Sequence, residues 1–259
     1  MKRVLTALIL IPILVYIVQF APVAVCIGVI FVAMLLALQE YLSLVDIPVS
    51  FRVVSSLIAA TATLVHIWPQ FYFVLLIGAM LLLMLALFSS LELAAGFRAA
   101  VSSFFGAAYV GGLMGFLIAV RMWNGGEDFL MMLLIIIWAG DSFAYFAGKS
   151  FGRHKLSPAV SPNKTWEGAI AGFVFGIVAA VLCKFTFIPG IQLVHAIGLG
   201  AVVGISGQIG DLCESIVKRA AKVKDSGGMI PGHGGMLDRV DSLLFGAPAM
   251  YYYLSFFHS

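Results

Sequence analysis

Apolar positions in this chain come in long blocks, not in alternation. Nine blocks, at about residues 4–20, 22–38, 53–67, 71–88, 101–120, 129–146, 168–187, 191–210 and 243–257, are almost free of charge. A helix crosses a hydrocarbon core of about 30 Å with roughly 17–25 residues, so most of these blocks are long enough to span a membrane. Neither period-two alternation nor heptads persist over a useful length, and in lipid a helix satisfies its own backbone hydrogen bonds. The pattern predicts an all-α, polytopic membrane bundle of about nine transmembrane helices. Only the Phe20-Ala21-Pro22 corner divides the first two blocks, which joined would exceed one straight crossing. Lys2 and Arg3 ahead of the first block look like the opening of a signal peptide. We expect a retained span, since Pro22 makes a poor start for a mature chain.

Composition agrees with the pattern. Hydrophobic residues are 62% of the chain, charged residues 10%, and mean hydropathy is +1.09. A soluble globule, with about a quarter of its residues charged, is excluded. Cys26 and Cys183 lie in apolar blocks and Cys213 stands alone, so buried small side chains are expected, not a disulfide framework or a zinc site.

The positions of charge orient the bundle. With nine spans, 13 of the 15 Lys and Arg residues fall on one side, leaving only Arg121 and Lys184 on the other. The positive-inside rule then puts the large polar loops, 147–167 and 211–242, in the cytoplasm. Residues 1–121 read as an N-terminal membrane bundle and residues 122–259 as the region that carries the chemistry.

Residues 211–241, DLCESIVKRAAKVKDSGGMIPGHGGMLDRVD, hold ten of the chain's 27 charged side chains. Asp211, Glu214, Ser215, Lys218, Arg219 and Lys222 fall at helical spacing on one face, as if the eighth helix continued out of its span. Gly200, Gly204, Gly207 and Gly210 in that span have the spacing of close helix packing. Glycine pairs then interrupt the chain around His233, Gly234 and Gly235 and return it to Asp238, Arg239 and Asp241 at the mouth of the ninth span. His233, a lone histidine in a loop, is more often a hydrogen-bonding partner than a base. Asp141 sits toward the end of the sixth span, where a carboxylate needs a cavity and a cationic partner. The following SPNKTWEG segment, residues 161–168, offers Ser161, Asn163 or Thr165 as a helix cap and Lys164 as a cation beside an anion-binding helix start. Converging carboxylates need a countercharge, and Mg²⁺, which takes one or two carboxylates plus substrate phosphates, suits them better than zinc.

Residues 215–241 resemble, without departure, the signature of the bacterial and eukaryotic phosphatidate cytidylyltransferases, also called CDP-diacylglycerol synthases. Residues 141–152 and 161–168 resemble that family too, whereas the first 120 residues do so only as a hydrophobic bundle. The resemblance implies Mg²⁺-dependent transfer of a cytidylyl group from CTP to phosphatidic acid, with release of pyrophosphate, in phospholipid biosynthesis. On this reading Asp211 and Asp238 lead as Mg²⁺ ligands, Asp141 and Asp241 complete or orient the shell, and a second cation has room. Lys218 and Arg219 act in catalysis, and with Lys164, Lys224 and Arg239 they hold the lipid phosphate and triphosphate. Ser161, Asn163, Thr165 and His233 assist binding, while Gly234 and Gly235 permit a close phosphate loop. Expected partners are CTP, phosphatidic acid and the lipids of the cell membrane, with homodimerisation suggested by the small-residue stripes and no nucleic acid. The rival readings are a CTP-dependent lipid kinase, a cytidylyltransferase for another lipid, and an ion-coupled transporter.

Overall fold

A computed structural model describes residues 2–67, 72–227 and 234–257, apart from the side chains of residues 2–10 and 74. The described residues form nine helices and one short hairpin. The helices are α1 (Lys2–Gln19), α2 (Val23–Leu44), α3 (Val49–Leu64), α4 (Phe73–Phe88), α5 (Leu93–Arg121), α6 (Gly126–Phe151), α7 (Trp166–Thr186), α8 (Leu193–Ala220) and α9 (Leu237–Phe257). Five of them, α2 and α5 to α8, are long and apolar enough to cross a membrane, and α3 and α4 are shorter apolar helices.

The apolar blocks located the helices but undershot their ends. α6 begins three residues before its block and ends five after it, and α8 runs ten residues past Gly210. A helix pays no penalty for charged side chains once it leaves hydrocarbon, so its end is set by backbone breakers and not by polarity. Pro22 and Pro48 stand at the helix starts of α2 and α3. At its far end α8 stops two residues short of the expected face. Lys222 adopts φ 58° and Val223 N donates to Lys218 O at 3.0 Å, a left-handed C-terminal cap. Lys222 therefore leaves the helical face that spacing assigned to it.

The chain divides into two compact units. One comprises residues 1–8, 22–119 and 225–240, in which α2 to α5 pack together with the start of α9. Within α5, residues Ala107–Gly112 form a π-helical segment. Gly111 lies so close to α3 that a Cβ there would sit 2.6 Å from Ala59 Cα. The Thr63 hydroxyl lies 2.9 Å from Gly111 O and 2.8 Å from Ala59 O, giving the widened turn a hydrogen-bonding partner.

The other unit comprises residues 9–21, 120–224 and 241–259 and is built on α6, α7 and α8. Small residues set the spacing of these helices. A Cβ at Gly172 on α7 would lie 2.8 Å from Gly140 O on α6, and one at Gly200 on α8 would lie 2.7 Å from Ile177 Cα on α7. Gly207 and Gly210 likewise abut Ser242, Asp241 and Phe245 of α9, whereas Gly204 has open space beside it. Gly200, Gly207 and Gly210 thus serve close packing. Between α6 and α7 the chain makes an antiparallel hairpin of β1 (Lys155–Ser157) and β2 (Ser161–Thr165), which the polar sequence of the loop did not suggest.

Candidate functional site

The hairpin delivers a lysine to an acidic helix face. β2 ends at Thr165, whose buried hydroxyl accepts from Gly168 N at 3.2 Å and so caps α7. Of the three capping residues the sequence offered, Thr165 is the one used; Ser161 pairs across the hairpin with Ser157, and Asn163 is exposed. Glu167, in the first turn of α7, holds the hairpin from below. Its carboxylate accepts from His154 N at 3.3 Å and lies 2.7 Å from His154 Nδ1. One residue before the cap, Lys164 Nζ reaches Asp211 Oδ2 on α8 at 2.6 Å.

Asp211 is one of three carboxylates that converge. Ligand oxygens of Asp211, Glu214 and Asp241 all lie within 4.8 Å of one another, the only such group found among the described residues. Asp211 and Glu214 are three apart on α8, hence on one face, and Asp241 comes from the first turns of α9. Glu214 is fully buried and is paired with Lys218, one turn along α8. Asp141 on α6 lies within electrostatic range of Asp211 and Lys164, and Asp241 within range of Asp211, Asp141 and Lys218. Four carboxylates therefore face two lysines. Fully ionised, the group lacks two positive charges, and uncompensated charge at a partly buried site is costly. Oxygen donors in that number and a deficit of two fit one hard divalent cation.

Sequence reasoning named Asp211, Asp241 and Asp141 for this cluster and left out Glu214, although its place three residues after Asp211 was the available signal. Arg219 is turned to other work. Its Nε donates to Val160 O at 3.1 Å and its Nη1 to Val223 O at 2.9 Å, tying the hairpin turn to the end of α8. Lys224 and Arg239 are exposed, and His233 lies outside the described residues.

Asp238 belongs to a second centre, in the unit that contains α2. Its Oδ2 accepts from Ser226 N at 2.9 Å and Gly235 N at 2.8 Å, and lies 3.0 Å from Ser226 Oγ. Beside it lies Glu40, which no sequence pattern singled out. Glu40 Oε1 accepts from Met236 N and Oε2 from Leu237 N, both at 2.9 Å, and Oε2 also accepts from Ser226 Oγ at 2.8 Å. Gly234 takes φ 76° at this turn, a conformation that needs glycine.

A model of the cytidylyltransferase family matches residues 1–257. Phosphatidate cytidylyltransferase of Bacillus subtilis strain 168 is 41% identical over 152 residues, which are 58% of this chain and 56% of that protein. The enzyme of that name from Haemophilus influenzae strain Rd is 42% identical over 135 residues, 51% of this chain and 47% of that protein. The Staphylococcus aureus strain COL enzyme is 38% identical over 143 residues, 55% of this chain and 54% of that protein. The matched segments thus span about half the length of these curated relatives. The family model covers nearly the whole chain, and the chain belongs to the cytidylyltransferase family.

Proposed function

We propose that the chain transfers the cytidylyl group of CTP to phosphatidate, forming CDP-diacylglycerol and releasing pyrophosphate, as the names of its relatives suggest. The observation that carries this reading is the convergence of Asp211, Glu214 and Asp241 with Lys164 and Lys218 at the ends of apolar helices. A lipid phosphate sits at the edge of the bilayer and CTP arrives from water. A polar cluster at helix ends serves both.

Asp211 and Asp241 would hold a divalent cation, which we take to be Mg²⁺, with Glu214 and Asp141 next to them and Asp238 kept as a further ligand to be tested. When bound, the ion supplies charge neutralisation on the phosphate oxygens. The residues do the rest. Attack by a lipid phosphate oxygen on the α-phosphorus breaks the bond to pyrophosphate and needs in-line positioning more than a strong base, because the nucleophile is already anionic. Lys164 and Lys218, each now paired with a carboxylate, are the cations that exchange this partner for phosphate oxygens as negative charge develops. Arg219 serves by fixing the hairpin that carries Lys164, while Lys224 and Arg239 offer exposed charge to the triphosphate. The bias of Lys and Arg to one side supports a site facing the cytoplasm.

The test is direct. Purified protein with CTP, Mg²⁺ and phosphatidate should release pyrophosphate and yield a CDP-lipid in equal amounts. Release of CDP would mean a lipid kinase instead, and no CTP turnover would reject the reading.

A further inference from the structure

Glu40 is a buried acid on α2 with 8% of its surface exposed, 186 residues before the first of its partners in sequence. An apolar helix end seldom buries a carboxylate without several donors. Here there are three, the Ser226 hydroxyl and the amides of Met236 and Leu237, so Glu40 grips the chain on both sides of residues 228–233. The two amides open α9, whose first turn has no partners within the helix, and a carboxylate there satisfies donors and complements the helix dipole.

Two glycines, one on each side of residues 228–233, make room for this one side chain. A Cβ at Gly227 would lie 2.8 Å from Glu40 Oε1, and one at Gly235 would lie 2.2 Å from Glu40 Oε2. Gly235, which the family resemblance assigned to a phosphate loop, therefore receives an internal carboxylate. Asp238 completes the clasp by holding Ser226 and Gly235 from the first turn of α9.

We infer that Glu40 is a positioning residue: its carboxylate fixes Ser226 against residues 235–237 at the start of α9, and so sets where Asp238, Arg239 and Asp241 stand. That this matters for turnover rests on the cytidylyltransferase reading; that it orders residues 235–237 does not. Glu40→Gln leaves size unchanged but puts an amide NH₂ where one oxygen accepted, opposing a donor with a donor.

The experiment has two arms on the full chain in detergent or nanodiscs. Hydrogen–deuterium exchange without substrate reads the amides of residues 235–237, and steady-state kinetics with CTP and phosphatidate reads kcat and KM apart. Glu40→Gln should speed exchange at Met236 and Leu237 at least tenfold and lower kcat at least tenfold. Ser226→Ala should do the same more weakly, and the double variant should be no worse than Glu40→Gln alone, because both remove one clasp. Unchanged exchange overturns the inference, and so does faster exchange with wild-type kcat. If Glu40→Gln fails to fold, the Ser226→Ala pair of measurements decides by the same criteria. If the wild-type protein turns over no CTP, the functional reading falls while the exchange arm still judges the clasp.

Discussion

Replacing Lys164 with Met separates binding of the metal from turnover, because the two should move in opposite directions. Lys164 Nζ lies 2.6 Å from Asp211 Oδ2, and the two side chains are 28% and 30% exposed. The ammonium thus occupies an oxygen that a cation would use. An exposed ion pair is worth about 0.2–1 kcal/mol. A dication doubles the charge and partial burial lowers the effective dielectric, so removing the competing ammonium should favour the metal by about 1–2 kcal/mol, or five- to thirtyfold in affinity. Turnover should fall, since the cation that would meet the phosphates is gone. The expected loss in kcat/KM is at least tenfold, equivalent to about 1.4 kcal/mol. Isothermal calorimetry with Mg²⁺ alone, beside kinetics at saturating Mg²⁺, reads both quantities. Thr165→Ala is the control: losing the α7 cap should cost about 1 kcal/mol of stability without a comparable kinetic loss. Weaker Mg²⁺ binding in Lys164→Met would make the lysine a scaffold of the acidic cluster, and an unchanged kcat/KM would return it to a structural role; either result refutes the reasoning.

Three further outcomes follow from the same geometry. Asp211→Asn and Asp241→Asn should each lower turnover at least a hundredfold at limiting Mg²⁺ in a folded protein, and Asp238→Asn beside them decides whether that residue ligates or only clasps the loop, since a clasp defect should persist at saturating Mg²⁺. Gly172→Ala should destabilise the α6 and α7 pair by about 1–3 kcal/mol, read as a lower melting temperature, because its methyl meets backbone and not a yielding side chain. Single cysteines at Ser157 and Lys224, in a background without Cys26, Cys183 and Cys213, should react with an impermeant maleimide only from the cytoplasmic side; labelling in intact cells would reverse the orientation.

What the sequence made legible was whatever lies close in sequence or repeats. Long apolar blocks marked the helices, and the spacing of Asp211, Glu214 and Lys218 marked a charged helical face, because both follow from the period of one helix. The Lys164 to Asp211 pair was half legible: each residue stood out, but the hairpin that joins them is three and five residues long and leaves no alternation to read. Glu40 was invisible, since a single acid at the end of an apolar helix has no local pattern and its partners are brought to it by the fold. The glycine pairs stood out as places where a ligand phosphate could approach closely. For Gly227 and Gly235 the anion that comes close is part of the protein.

The π-helical segment of α5 bears on how this chain can vary. A π turn holds about one residue more than an α turn, so residues before Ala107 and after Gly112 keep faces that a plain helix one residue shorter would also give them. Elsewhere in a spanning helix, deletion of one residue rotates everything beyond it by about 100°, turning buried side chains such as Met132 or Val203 outward. Within residues 107–112 the same deletion would close the wide turn and leave Met114, Leu117 and Ile118 on their buried side, at the cost of the Gly111 contact with α3. Among homologous chains, single-residue gaps inside this helix should therefore gather at this one turn.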